Sequence, residues 1–413
     1  MPLTAKFCGP IDHGGKEICI KYGAMKSTLL GLALALGVSG QQAHVNLEWN
    51  PQANRENFKP FGAAAISPEV HADRRVTFRV PAPGASEVLL APGPLQLGYA
   101  GGEKKFVKGA DGVWTLTVGP VAPNMYVYKL MIDGVSVPDP NNTIAGVGDQ
   151  PPYSMLVVAG DGPAYYDAKP VSHGTVTRHV YHSTVTGGER EMYVYLPPGY
   201  TAKKKYPVLY LFGGSGEMAG NWAIEGRANF ILDNLLTEGK AKPMIIAMPN
   251  NQMVHRGDPG FREKGPALLE KDLRDHIIPL IDKTFSTVLS PRGRAMAGLS
   301  MGGGHTQAVG FRSLDLFGSF GILSAGNRES ETASAAFLND PKVNEKVDYL
   351  LVAQGTFEPL GMGPTGAGTA ALKAALEKHN VRFVYYEGGG GAHDWATWRH
   401  LLAERLLPGL WRK

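Results

Sequence analysis

A chain of 413 residues exceeds one typical domain and can bury at least one large core, so two domains are the starting expectation. Its net charge of +4 comes from scattered lysines and arginines. The longest basic run, Lys203-Lys204-Lys205, reads as a solvated turn before an apolar stretch, so nothing calls for nucleic acid.

Met25 to Gly40 reads as a secretory signal: Lys26 is the positive region, Leu29 to Val38 an apolar core too short to span a bilayer, and Val38-Ser39-Gly40 the small residues of a cleavage site. Residues 1–40 are therefore expected to be leader and signal, with the true start at Met25 and residues 1–24 outside any fold. The mature chain is expected to be secreted or periplasmic and free of the membrane. Both cysteines, Cys8 and Cys19, lie in that leader, so no disulfide or thiol chemistry is expected of the mature protein.

Residues 41–70 are polar and irregular, an arm over the surface. Over 71–160 short alternating runs follow one another: Val76 to Val80, Ala85 to Leu90, Val113 to Val118 and Tyr126 to Ile132. Asp111-Gly112 and Asp133-Gly134 mark turns between antiparallel strands, and the whole predicts an immunoglobulin-like β-sandwich. Val76-Thr77-Phe78-Arg79-Val80-Pro81, Asp111-Gly112-Val113-Trp114 and Tyr126 to Gly134 resemble the early-set modules grouped with carbohydrate-binding family 48. That resemblance implies a sandwich able to contact glycan. Trp114 itself, at the start of a strand, fits core better than sugar platform.

Asp161-Gly162-Pro163 and Lys169-Pro170 mark a linker over 161–172. Beyond it, Gly174 to His182 and Glu191 to Leu196 alternate like paired strands. Continuous apolar runs then appear at Val208–Phe212, Met244–Met248, Phe317–Ser324, Tyr349–Ala353 and Phe383–Tyr386, separated by helical patterns at Ala228–Glu238, Ala267–Phe285 and Gly368–His379. Strands alternating with helices predict a mostly parallel sheet covered on both faces. Residues 173–413 are thus expected to form one α/β-hydrolase domain.

Gly298-Leu299-Ser300-Met301-Gly302 matches the nucleophile elbow, in which small residues let a strand turn sharply into a helix and lift a serine hydroxyl above the sheet. The hydroxyl needs a histidine to take its proton and a carboxylate to orient that histidine. His393 fits, following a predicted strand and the glycine run Gly388 to Gly391. His305 lies too near the serine, His379 falls inside a helix and His255 comes too early in the chain. Glu358, directly after the strand Tyr349–Ala353, is the best acid; Asp348 sits at the wrong end of that strand, and Asp394 suits a helix cap. The oxyanion donors are expected to be the backbone N–H groups of Met301 and, in the loop Gly213-Gly214-Ser215-Gly216, of Gly214. No metal constellation and no cofactor motif are visible.

Lys205 to Gly214, Trp222, Arg227 to Leu236, Met248-Pro249-Asn250 and Ala297 to Gly304 together resemble carbohydrate esterase family 1, the feruloyl and acetylxylan esterases related to esterase D and the enterochelin esterases. The resemblance spans nearly all of 173–413 and implies Ser300 as nucleophile, His393 as base and Glu358 as acid. Two positions depart from the family: Phe212-Gly213 replaces His-Gly, and Glu358 replaces aspartate. The expected function is a secreted serine esterase acting on feruloylated or acetylated xylan, with feruloyl esters first and Trp222 and Trp398 flanking the acyl group. The two departures leave an inactive glycan-binding hydrolase homologue as the other reading.

Overall fold

A computed structural model describes residues 7–8, 19–20, 66–91, 104–146, 152–255, 257–360 and 365–412. The signal pattern Met25–Gly40 and the arm up to residue 65 lie outside the described residues. The chain falls into two compact units, 1–58 and 59–413. In the first, Phe7–Cys8 pairs antiparallel with Cys19–Ile20, so the leader expected to lie outside any fold carries a short strand pair.

The second unit begins with antiparallel sheets. Glu69–Val70, Val76–Pro81, Val113–Val118 and Val107–Lys108 form one; Val135–Val137, Leu130–Ile132, Val88–Leu90 and Lys104–Lys105 form another; Ala145–Gly146, Tyr153–Val158 and Asn124–Tyr128 form a third. Val76, Phe78 and Val80 alternate inward and meet Leu90, Phe106, Tyr128 and Leu130 in one core, as a half-buried strand requires. Asp133 and Gly134, at φ 48° and 82°, make the two-residue turn that pairs Ile132 with Val135. Trp114 is only 6% exposed and its indole N–H donates to the Ala82 carbonyl at 2.9 Å, which makes it core and not platform.

The larger sheet has eight strands: β1 Thr175–Ser183, β2 Gly188–Leu196, β3 Val208–Phe212, β4 Ile245–Pro249, β5 Arg294–Leu299, β6 Ser319–Leu323, β7 Tyr349–Gly355 and β8 Val384–Gly388. Their spatial order is β1-β2-β4-β3-β5-β6-β7-β8. β2 is antiparallel to both neighbours, and β3 through β8 run parallel. This is the α/β-hydrolase arrangement.

The central strands read as unbroken apolar runs because both faces are covered. In β3, Val208, Tyr210 and Phe212 face one core, filled by Leu269, Leu273 and Ile277 from the helical stretch that opens with Phe261–Asp272. Leu209 and Leu211 face the other, filled by Ile231, Leu232 and Leu235 of the helix Ala228–Thr237 and by Leu402 and Leu406 near the C-terminus. Met125 and Met155 of the sandwich, and Tyr166 of the expected linker, enter that second core. The sandwich and the sheet consequently share buried apolar surface within one compact unit, rather than hanging on a free tether.

Candidate active site

All parallel strands end on the same edge of the sheet, and the loops leaving those ends converge. Ser300 leaves β5, Ser324 leaves β6, Glu358 follows β7, His393 follows β8, and the Gly213-Gly214 loop leaves β3.

The elbow forms because its neighbours have no side chains. Ser300 sits at φ 49°, ψ −115°, a conformation that costs about 1–3 kcal/mol and persists only where the surroundings enforce it. A Cβ on Gly298 would lie 2.5 Å from the Gly302 carbonyl carbon, and one on Gly302 would lie 2.6 Å from the Gly213 carbonyl oxygen. The turn therefore closes only with glycine at both places, and the second glycine lets the elbow touch the β3 loop.

His393 Nε2 lies 2.8 Å from Ser300 Oγ, and His393 Nδ1 lies 3.1 Å from Glu358 Oε2. A carboxylate only accepts hydrogen bonds, so Nδ1 carries the imidazole proton and Nε2 is left to accept from the serine hydroxyl. Glu358 is held on every side: Ser324 Oγ and the Gly355 N–H donate to Oε1, and Thr365 Oγ1 donates to Oε2 at 3.0 Å. Burial alone would push this carboxyl up; the hydrogen bonds from His393, Ser324 and Gly355 outweigh it and hold the group below the ordinary carboxylate value. It is a carboxylate at neutral pH. The longer glutamate arm thus reaches the histidine from the position where the family resemblance implies aspartate.

Ser324 and Thr365 had no signal in the sequence. Ser324 ends β6 at φ 49° and receives the indole N–H of Trp398 at 3.0 Å while donating to Glu358. That chain depends on a backbone turn and on a partner 74 residues away, neither of which any motif announces. Asp394 caps the helix Trp395–Leu401, accepting from the Thr397 N–H at 2.8 Å. His305 is structural: burial pushes its imidazole down to about 4, and the neutral ring accepts from Asn251 Nδ2 at 3.2 Å through Nδ1.

The oxyanion side needs a correction. Met301 opens the short helix Met301–His305, where backbone N–H groups lack an intrahelical acceptor, as the expected role requires. The Gly214 N–H, however, donates to Glu217 Oε2 at 2.7 Å, because the loop folds back on itself three residues later. The loop is pinned from behind by Asn251 Nδ2 on the Gly213 carbonyl at 3.0 Å and Gln252 Nε2 on the Gly214 carbonyl at 2.7 Å. Gly214 still lies beside the nucleophile, since a Cβ built on it would be 3.5 Å from Ser300 Cβ.

The two tryptophans expected to flank the acyl group do not. Trp222 is 1% exposed, with its indole N–H on the Phe212 carbonyl at 2.8 Å, and Trp398 is 6% exposed behind His393, edge to face at 5.1 Å. Both belong to the apolar core, which large aromatic area favours when the polar edge finds a partner. A cleft of about 280 Å³ is lined by Glu217, Met218, Asn250, Gln252, Met253 and Val254, on the loops after β3 and β4. A larger depression of about 420 Å³ is lined by sandwich residues only, among them Arg74 and Pro120. Among the described residues no group of three metal-ligating side chains occurs, and no helix is long and apolar enough to cross a membrane.

Serine, histidine and carboxylate joined in this order, above the C-terminal edge of an α/β-hydrolase sheet, define a serine-hydrolase site. The chain belongs to the Esterase family, which it matches over residues 183–408. It is 35% identical over 355 residues to the endo-1,4-beta-xylanase/feruloyl esterase of Xylanibacter ruminicola, covering 84% of this chain and 46% of that one. The endo-1,4-beta-xylanase Y of Acetivibrio thermocellus is 25% identical over 256 residues, covering 56% of this chain and 23% of that one. The chain therefore spans less than half the length of these relatives. Among solved structures, the enterobactin esterase of Shigella flexneri aligns with a TM-score of 0.60 at 16% identity, covering 82% of this chain and 93% of that one. A ferulic acid esterase of Anaeromyces mucronatus aligns at 0.51 and 23% identity, covering 62% and 97%. These two likenesses bear on the fold.

Proposed function

We propose that this chain is a secreted serine carboxylic ester hydrolase that releases feruloyl groups from plant cell-wall arabinoxylan. The carrying observation is the unbroken path from Ser300 Oγ through His393 to Glu358 at 2.8 and 3.1 Å. Ser300 Oγ attacks the ester carbonyl carbon as His393 Nε2 takes its proton, and Glu358 stabilises the imidazolium that forms. The Met301 N–H receives the negative oxygen of the tetrahedral intermediate. Collapse breaks the bond to the sugar oxygen, which leaves with the proton from Nε2, and the acyl group stays on Ser300. Water then repeats the sequence, giving up its proton to His393 and freeing the acid.

The cleft beside the β3 loop supports an aromatic acyl group: Met218, Met253 and Val254 offer apolar walls, and Gln252 and Asn250 polar ends. The relative that couples a xylanase with a feruloyl esterase supports the polysaccharide class, and the pattern Met25–Gly40 supports export.

The test is release of ferulate from methyl ferulate and of acetate from 4-nitrophenyl acetate, by the chain and by its Ser300→Ala variant. Ferulate release that falls by roughly a thousandfold or more in the variant is the expected result. Acetate release alone, repeated on acetylated xylan, moves the substrate to the smaller acyl group. No turnover of either ester by the parent sinks the esterase reading and leaves retained xylan binding as the alternative.

A further inference from the structure

Arg399 is a charge that the reaction does not use. It lies six residues after His393, on the helix Trp395–Leu401, and is 0% exposed. Among the described residues no carboxylate pairs with it. Asp394 acts on it through charge, but a buried guanidinium is costly unless its N–H groups find acceptors; Nε has none, and the two terminal nitrogens carry the bonding. Its partners are drawn from separate parts of the fold. One terminal nitrogen donates to the Glu225 carbonyl at 2.7 Å, and the other donates to Asn124 Oδ1 at 2.8 Å and to the Met125 carbonyl at 2.7 Å. The guanidinium carbon stands 4.9 Å from the centroid of the Tyr166 ring, a cation–π contact.

Asn124 and Met125 belong to the sandwich strand Asn124–Tyr128. Glu225 ends the helix Asn221–Ile224, which follows the β3 loop, and its carboxyl accepts from Tyr153 of the neighbouring sandwich strand at 2.8 Å. One buried side chain therefore joins the sandwich, the segment that follows the β3 loop and the helix that begins just after His393. The first turn of that helix is wedged between aromatic edges: Trp222 meets Trp395 at 5.2 Å, Trp395 meets Trp398 at 5.3 Å, and Trp398 meets His393 at 5.1 Å. The indole N–H of Trp398 ties the same turn to Ser324 Oγ at 3.0 Å. Arg399 anchors the helix to carbonyls of two other elements.

We propose that Arg399 is a positioning residue through which the β-sandwich fixes the height of His393 over Ser300. The sandwich then serves the reaction as an internal brace. The proposal rests on the serine-esterase reading, because only there does the separation of Nε2 and Oγ set a rate.

The test uses the full chain with Arg399→Met, Arg399→Lys and Asn124→Ala, the last removing one acceptor from the sandwich side. kcat and KM for 4-nitrophenyl acetate are measured with competent sites counted by stoichiometric labelling with a fluorophosphonate. A displaced base lowers kcat per labelled site with KM held, because misplacement of about 1 Å far from the chemistry costs up to about a hundredfold. The expected losses are about tenfold or more for Arg399→Met, a partial recovery with Arg399→Lys, and about threefold for Asn124→Ala. If the Met variant fails to fold, the other two carry the measurement. Variants with lower melting temperatures but parental kcat per labelled site overturn the proposal, since Arg399 is then packing alone. A parent that neither turns over the ester nor takes the label overturns the esterase reading, and this proposal with it.

Discussion

On the β5 to β8 side of the site, Ser300, His393 and Glu358 are already joined at 2.8 and 3.1 Å, whereas on the β3 side the Gly214 N–H is turned onto Glu217 at 2.7 Å. Proton transfer is arranged in advance, but one donor expected for the developing oxyanion is closed over its own loop. The two halves also differ electrically. Glu358 is buried yet held low by its donors, while burial, reinforced by the nearby charge of Glu225, pushes Glu217 up to about 8 against a single backbone N–H. At neutral pH Glu217 is therefore a neutral acid, and its hydrogen bond to Gly214 lacks the strength of a charge-assisted one. A substrate oxygen gaining negative charge is the stronger acceptor and can displace it. The contrast separates a rigid relay from an exchangeable cap.

The relay side gives the largest effect. Glu358→Gln replaces an obligatory acceptor with a group that can also donate, which favours the imidazole tautomer with its proton on Nε2, unable to accept from Ser300. A loss of kcat on the order of 10²–10⁴ is expected, with KM little changed. Kinetics on methyl ferulate check this, and a loss under about threefold would mean that Thr365 Oγ1, 3.5 Å from His393 Nδ1, and not Glu358, orients the imidazole. The β3 side gives a smaller one. A Cβ on Gly214 would lie 2.8 Å from Leu299 Cδ1 and 3.5 Å from Ser300 Cβ, so Gly214→Ala crowds the nucleophile from the β3 side. A drop of about tenfold in kcat is expected. Parental kcat in this variant would show that the β3 loop takes no part in the rate.

The asymmetry also explains what the sequence revealed. The relay was legible because chain order and strand ends constrain it: an elbow after one strand, an acid after a later one, a histidine after the last. The eight-stranded sheet was legible for a similar reason, since strands buried on both faces must be apolar throughout, as Val208–Phe212 and Ile245–Pro249 are. The β3 loop was readable only as glycine-rich. Which N–H points where depends on Glu217 folding back and on Asn251 and Gln252 arriving from β4, contacts that no local pattern encodes. Trp222 and Trp398 failed as substrate residues because aromatic content does not say which side of the sheet edge a ring faces. The brace at Arg399 joins positions 275 residues apart in the chain and lies beyond any reading of spacing.

The subtlest consequence of the cap is a dependence of stability on pH. The carboxyl of Glu217 is raised from 4.5 to about 8 on folding, so between those values the folded chain holds a proton that the unfolded chain has lost. The contribution of this group to stability is fully present below 4.5 and falls away as pH rises through the window to about 8. Glu217→Gln keeps an acceptor for the Gly214 N–H but cannot ionise in either state. Its melting temperature is therefore expected to match the parent near the acid end of the window and to exceed it near the alkaline end. Glu225, raised to about 7 chiefly by burial, still titrates in the variant, so a shallower slope of the same sign remains. Thermal melts of both proteins across the window decide the matter: lines that stay parallel mean that Glu217 is ionised in the folded chain. In that case its bond to Gly214 is charge-assisted, the cap is no longer weak, and the two halves of the site are equally fixed.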